Sequence, residues 1–480
     1  MNAHMMRIDR YRLAWRKTTS TFFGSLTFSA ILVSLALLVA IIVFILVNAR
    51  PLMAMRAASR AGLVLSTMVI QWEARNLPYV IVTDFIPDSA AARAGIAEFD
   101  VIIRAESEVV LRSAHVWEVI ARLAKETLSI GWISGDSTKI FGDLLPQVDP
   151  QTGALRVVID YLPEESLGAR AGLRVGDVLV RIEDIPVTGA RQAWEALIIA
   201  AQRKPHPSPL SVQIERDGEP LTIALPAEQT AHIPIQRSWW HAIWEFLTSY
   251  DSNSPEKAGL ASAIVGSFYL VALTALFALP LGVGAAVYLE EYARKNWLNE
   301  LIQLLIANLA GVPSVIYGII GLEILARALR MDRVLITGAL TMTLLILPMV
   351  IIAAREALRA IPDSIRHAAY AVGATRWQVV RAHVLPYALP GILTGLIIAL
   401  SRAMGEAALL ILLGAFQYLT FIPSVWSYFT VIPIQIFTWI GEAKDGFANI
   451  AAAAIIVLLT ILLAMNGLAI FLRIKFQRRW

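Results

Sequence analysis

The chain contains no cysteine. Disulfides, thiolate metal sites and thiol chemistry are therefore excluded, and any domain outside the cytoplasm must be held by its core alone. Charged residues make up only 16% of 480 residues, with a net charge of +4. The basic residues sit beside apolar runs, which suits membrane topology and not nucleic-acid binding. Three further absences narrow the chemistry. There is no G-x-x-x-x-G-K-[ST], so the chain has no P-loop for ATP. There is no H-E-x-x-H, and the histidines are scattered, which argues against a membrane metalloprotease. No G-x-S-x-G elbow is present.

What is abundant is apolar sequence: 57% hydrophobic residues and a mean hydropathy of +0.63. That composition indicates a membrane protein with an embedded soluble part. A basic segment, 1–21, precedes an apolar run at 22–47, long enough to cross a bilayer at roughly 20 residues per span. It reads as a retained first span with its N-terminus inside; Arg50, Arg56 and Arg60 beyond it run against that orientation. Five further runs, at 263–288, 301–325, 335–354, 389–415 and 450–472, make six. An even number places both termini in the cytoplasm and the segment between spans one and two outside it, as Arg473, Lys475, Arg478 and Arg479 agree. Arg327, Arg330 and Arg333 then fall in an outer loop, against the trend.

The segment between the first two spans contains a repeat. VIVTDFIPDSAAARAGIAEFDVIIRAESEVV starts at Val80, and VVIDYLPEESLGARAGLRVGDVLVRIEDIPV at Val157. Pro87 matches Pro163, Ala94-Gly95 match Ala171-Gly172, Asp100 matches Asp177, and Trp117-Glu118 match Trp194-Glu195. The second copy ends in a hairpin with Asp217-Gly218 at its turn. The order resembles bacterial PDZ domains, carried by Ala169, Ala171, Gly172, Leu173, Gly176 and Asp177. The resemblance implies a degenerate PDZ-like domain at 62–150 and a second at 151–227. The first has Phe99 where glycine is expected, and its final hairpin is not apparent. Leu155–Ile159 is expected to form a groove edge, approached by the loop at 151–154, for an extended peptide. A structural spacer is the alternative. Residues 228–259 read as a linker in which Trp239, Trp240 and Trp244 mark a helix at the membrane interface.

Three constellations carry functional signal. The first is IPDSIRHAAYAVGATRWQVVRAHVLP, 361–386, a helix–Gly–helix elbow that Arg366, Arg376 and Arg381 place on the cytoplasmic side. Its second helix is expected to stop at Leu385-Pro386. The elbow resembles the loop of ABC-transporter permeases that docks on the ATPase, through Ala368, Ala369, Gly373, Leu385 and Pro386. His367 replaces the usual Glu, and His383 an often-found Ile. A plain amphipathic loop is the alternative.

The second is Arg402 and Glu406, expected on one face of a span. A charge near mid-bilayer costs roughly 2.5–3.5 kcal/mol on insertion scales, so the pair should face protein or a polar path. Arg402 is suited to pass a tetrahedral oxyanion, with Glu406 holding the arginine until the substrate arrives; an ion pair that locks helices is the alternative. The third is Gly311-Val312-Pro313-Ser314, where Pro313 removes a helix donor and loosens the span, leaving backbone groups to line a path or simply kinking the helix.

With these residues placed, 246–480 and the first span resemble phosphate-uptake ABC permeases of the PstA type. The resemblance rests on FLTSY, PEKAGL, LPLGVGAAVYLEEYARKN, IANLAGVPSVIYGIIGL, ALPGILTGLIIALSRAMGE, VIPIQIFTWI and FQRRW. It implies an α-helical polytopic membrane protein with the type I ABC importer permease fold, a core at 260–480, and an α+β PDZ-like insert. It also implies a PstC-type sister permease, two ATPase subunits holding ATP and magnesium, and a periplasmic phosphate-binding protein. No cofactor is expected in this chain. Ala407-Ala408-Leu409 replace the family's Thr-Ala-Pro after Glu406, and the large insert is unusual. Import of phosphonate, sulfate or molybdate, and a PDZ-bearing sensor or scaffold, are the alternatives.

Overall fold

The computed structural model describes residues 39–476 except 73, 74, 85, 124–126, 150–152, 154, 236, 237, 295 and 417. The basic N-terminal segment, residues 22–38 of the first expected span, most of the loop at 151–154, and Arg478-Arg479 lie outside the described residues.

The first described helix, α1 (Val39–Arg60), runs well past Val47. Its end is buried through Leu52, Met55, Arg56 and Ala58. Arg56 is only 1% exposed, so it is a packing partner and not a topology signal.

Two six-stranded sheets follow. The first contains β1 (Val64–Trp72), β2 (Arg75–Asp84), β3 (Val101–Ala105), β4 (Glu108–Val109) and β5 (Thr127–Ile133). Helix α2 (Ser113–Arg122) lies between β4 and β5 in the chain. The second contains β6 (Asp143–Val148), β7 (Leu155–Tyr161), β8 (Val178–Ile182) and β9 (Ile185–Pro186), then α3 (Ala190–Arg203) and the hairpin β10 (Leu210–Arg216) and β11 (Glu219–Leu225). Next in the chain is β12 (Gln229–Pro234), which returns to the first sheet and pairs with β5, Gln229 opposite Trp132 and Pro234 opposite Thr127. The strand orders are β1-β2-β3-β5-β12 and β6-β7-β8-β10-β11, the same arrangement twice.

The first copy therefore does have its final hairpin, with the whole second sheet inserted between the two strands. This is cheap because paired strand ends lie side by side, so a domain whose own ends are close fits in place of a turn. Three expectations are corrected. A boundary at 150 is too late, because β6 belongs to the second sheet. Residues 228–259 are not a plain linker, because they supply β12. The strand at Leu155–Ile159 is not an edge, because β7 is paired on both sides, by β6 and β8.

The matched residues of the repeat do matching work. Ser89 and Ser166 cap short helices by accepting from Ala92 N and Ala169 N. Asp100 accepts from Ala97 N at 2.8 Å, and Asp177 from Arg174 N at 2.7 Å. Phe99 takes φ +70° where Gly176 has φ +92°. The turn wants a left-handed residue, and the phenylalanine bears that strain, about 1–2 kcal/mol.

The first sheet is covered on both faces, which is why β3 is buried throughout. On one face Ile102, Ala105 and Ile130 join Leu52, Met55 and Trp117, and that cluster continues into Phe246, Leu260, Trp439, Phe447 and Ile450. On the other face Val101, Ile103 and Ile133 pack in one cluster with Leu197, Ile198 and Ala201 of α3. Arg104, 1% exposed, ties the layers: it pairs with Glu228 at 2.9 Å and donates to Ala201 O at 3.0 Å. The first sheet thus packs against the membrane core on one face and against the second domain on the other.

After β12 comes α4 (Trp239–Thr248), with Trp239, Trp240 and Trp244 exposed. The membrane helices are α5 (Ala261–Tyr292), the pair α6 (Trp297–Leu309) and α7 (Ser314–Ala328) bent by 104°, α8 (Leu335–Arg359), α10 (Arg376–Met404) and α13 (Phe447–Phe476). Helix α9 (Asp363–Ala371) lies between α8 and α10. Between α10 and α13 lie α11 (Ala408–Leu413) and α12 (Ile432–Gly441). Among the described residues, α1, α5, α8, α10 and α13 are long and apolar enough to span, five helices, or six spans if the bent pair counts as one. Gly391 and Gly395 of α10 lie against Ala357 and Ala353 of α8, the small-residue contact that lets membrane helices approach closely.

The third expected span is fully broken, not merely loosened. Pro313 has no N–H and Gly311 favours no helix; the Tyr317 hydroxyl donates to the freed Leu309 O at 2.9 Å across the break. The fifth expected span, 389–415, is also corrected. The helix starts at Arg376 and ends at Met404, so Arg402 sits in its last turn.

Candidate functional site

The elbow at 361–386 lies at the opposite end of the membrane helices from the insert. It begins with α9, leaves it through Gly373 at φ +82°, and starts α10 with a capping box between Thr375 and Gln378. No atom lies within 4 Å of a Cβ built at Gly373, so glycine is needed there for conformation, not for space. The expected stop at Leu385-Pro386 does not occur. A π-helical turn over Val380–Val384 has Leu385 N–H donating to Val380 O. Widening the turn absorbs the proline's missing donor, and the helix continues into the membrane.

Ala369, Val379 and Val384 pack with Ala286, Ala354 and Leu358. The opposite face is free: Val372 is 83% exposed and Trp377 57%, with Tyr370 beside them. Ala368, Gly373 and Pro386 are exposed, Leu385 is half-buried, and His367 and His383 are exposed. Of the residues matched to the docking motif, Ala369 is buried in this cluster and Leu385 packs against it; Ala368 and Gly373 face outward.

An ionic network that sequence reasoning missed holds this corner. Arg366 pairs with Glu291 at 2.9 Å and donates to Ile361 O and Leu358 O at 2.8 and 3.0 Å. Arg355 pairs with Glu290 at 2.7 Å and donates to Gln303 at 2.8 Å. Arg359 reaches Glu290 at 2.9 Å. The elbow, α5, α6 and α8 are thus joined by planar guanidinium donors on carboxylates, with more than one contact per arginine. The signal was the adjacent Glu290-Glu291 at the end of an apolar run.

Arg402 and Glu406 are not brought together. Gly405 ends α10, Glu406 lies beyond it, and no ion pair joins them among the described residues. Arg402 is exposed on the chain's surface, with Nη1 3.3 Å from Met349 Sδ; Glu406 is half-buried. Pro313 is exposed and Ser314 half-buried at the start of α7. The same half-helix packs on α11, where a Cβ at Gly318 would come within 2.7 Å of Leu409 O. The broken span and the segment after Glu406 therefore share an interface.

In the insert, burial raises the carboxyls of Asp100 and Glu228 above the usual range, against their hydrogen bonds. Neither belongs to a metal-binding group among the described residues.

A family model described as "Binding-protein-dependent transport system inner membrane component" matches residues 278–473. The probable ABC transporter permease protein YqgH of Bacillus subtilis is 38% identical over 34% of this chain and 55% of its own length. The chain thus spans little more than half of that relative. The phosphate transport system permease protein PstA of Yersinia pestis is 32% identical over 44% of this chain and 71% of its own length. That of Haemophilus influenzae is 30% identical over 47% of this chain and 78% of its own length. On that extent of identity, this multi-pass inner-membrane chain, a polytopic helical permease with a β-rich insert, belongs to the PstA family of phosphate transport system permease proteins.

Proposed function

We propose that the chain is the permease subunit of an ATP-driven importer that carries inorganic phosphate across the cytoplasmic membrane. The observation that carries this reading is the identity to PstA proteins over most of their length. On it, the chain is not an enzyme, and ATP and magnesium are held by two partner ATPase subunits. A PstC-type sister permease and a periplasmic phosphate-binding protein complete the assembly. The insert is extracytoplasmic and both termini are cytoplasmic.

The elbow's exposed Tyr370, Val372 and Trp377 suit docking on the ATPase, with Ala369, Leu385 and Pro386 setting its shape. Arg402 is the group that meets the anion. Its exposure on the isolated chain supports a path closed by the sister subunit, since a guanidinium at the membrane needs a polar partner. Glu406, Pro313 and Ser314 line the same path. The test is uptake of radiolabelled phosphate by cells lacking their own phosphate permeases, with phosphonate, sulfate and molybdate as competitors. Competition by another oxyanion at lower concentration than phosphate would reassign the substrate.

A PDZ-like role for the insert is supported by the repeated strand order, with β6 and not β7 as the free edge for an added peptide strand. A membrane-anchored scaffold remains the second reading, favoured by the size of the stacked insert.

A further inference from the structure

Two loops of the membrane core end on one edge of the first sheet. The loop ahead of α5 presents residues 255–258. Leu65 N–H on β1 donates to Glu256 Oε1 at 3.2 Å, and Lys257 pairs with Asp84 at the end of β2. Arg56 of α1 donates to Ala258 O and pairs with Glu245 of α4 at 3.4 Å. The loop ahead of α13 arrives beside it. The Thr67 hydroxyl of β1 donates to Asp445 Oδ2 at 2.7 Å, and it also accepts from Ser113 N at the start of α2. Gly446 lies so close to Trp117 that a Cβ there would come within 2.7 Å of the indole. Behind this edge, Asp251 accepts from Trp439 Nε1 at 3.0 Å and from Gln435 Nε2 at 2.8 Å, both on α12.

The centre of this seam is buried, while the Thr67–Asp445 and Lys257–Asp84 contacts lie at its partly exposed rim. Glu256 is 0% exposed, Arg56 1% and Asp251 7%. The apolar cluster beneath them runs without a break from the first sheet into α1, α4, α12 and α13. Separating the parts would expose that cluster and break the Arg56–Glu245 pair and the bond from Leu65 N–H to Glu256. The unpaired edge of β1 is where a strand-adding ligand would lie, and the chain's own loops already occupy its start.

We propose that the insert is a permanent clamp: it keeps the insert-side ends of α1, α5 and α13 together through the whole transport cycle. Opening on that side then falls to α7, α8 and α10, which carry Pro313, Ser314 and Arg402 or pack beside them. The second domain is stacked on the clamp through α3 and Arg104, so the insert moves as one piece with the clamped helices. The transport cycle is that of the function proposed above.

The absence of cysteine makes the test direct. Thr67→Cys with Asp445→Cys is built into the full chain in its assembled complex and cross-linked with a short bis-methanethiosulfonate. Cross-linking to the same extent without nucleotide and with ATP plus vanadate, and unchanged ATP hydrolysis and uptake afterwards, is the expected result. Loss of hydrolysis or uptake that reductant restores, or cross-linking in one nucleotide state only, overturns the clamp. Asp84→Cys with Lys257→Cys is the second pair should the first fold poorly, and failure of both to cross-link overturns the contact itself. If the reduced variants and the parent all fail to import phosphate, the substrate reading fails. The cross-linking extents in the two nucleotide states still report on the clamp.

Discussion

Arg366 Nη2 meets Glu291 Oε1 at 2.9 Å, joining the first helix of the elbow to the end of α5. The same guanidinium also holds Leu358 O and Ile361 O, so one side chain fixes the elbow to two membrane helices. Glu291 is only 7% exposed at its side chain.

Replacing Arg366 by Ala leaves Glu291 buried and unpaired, at a cost of about 3–5 kcal/mol to the local structure. ATP hydrolysis should continue while uptake is lost, with faster proteolysis at 361–386. Arg366→Met combined with Glu291→Met should recover much of the protease resistance. Uptake unaffected by Arg366→Ala would remove the elbow from the coupling path.

Gly373→Val places a β-branched residue at φ +82°, at about 1–2 kcal/mol of backbone strain. Nothing nearby blocks the side chain, so the defect is one of elbow shape. Gly373→Asn, which tolerates the left-handed region, should keep most uptake. Equal loss in both variants would point to the docking surface itself.

Burial pushes the Glu256 carboxyl up from 4.5 to about 7. Folding therefore retains a proton that the unfolded chain releases near 4.5. The stabilisation is complete below that pH and is lost as pH rises through about 7. Thermal stability of the purified protein should fall between pH 5 and 8, roughly the window of that shift, and Glu256→Gln should flatten the fall. Burial raises Asp251 in the same direction, but it is unchanged in the variant, so the difference between the two proteins isolates Glu256. An identical pH profile in both would rule the carboxyl out as the source.

Arg402→Gln removes the charge but keeps a polar side chain at the end of α10. Phosphate uptake should disappear, while the complex assembles and melts as before. Unimpaired uptake would end the pathway role of this residue.

The spans were readable because an apolar run is a local property, and α5, α8 and α13 begin and end within a few residues of it. The Asp217-Gly218 turn was readable for the same reason, with both residues at positive φ. Pro386 misled because its lost donor is absorbed by a π-helical turn that no pattern announces. Arg402 and Glu406 misled because helical spacing was assumed across Gly405, where the helix ends. Arg56 was read as a topology signal because its partners, Glu245 and Ala258, lie far away in the chain.

Sequence by itself determined the membrane helices, the repeated domain and the elbow, since periodicity, turn dipeptides and capping residues act over a few positions. Tertiary structure alone decided that β12 closes a hairpin begun at β5. It also placed a loop carboxylate on a strand amide 191 residues away. The physical reason is that strand pairing and the burial of charge take their energy from partners that only the folded chain brings into contact.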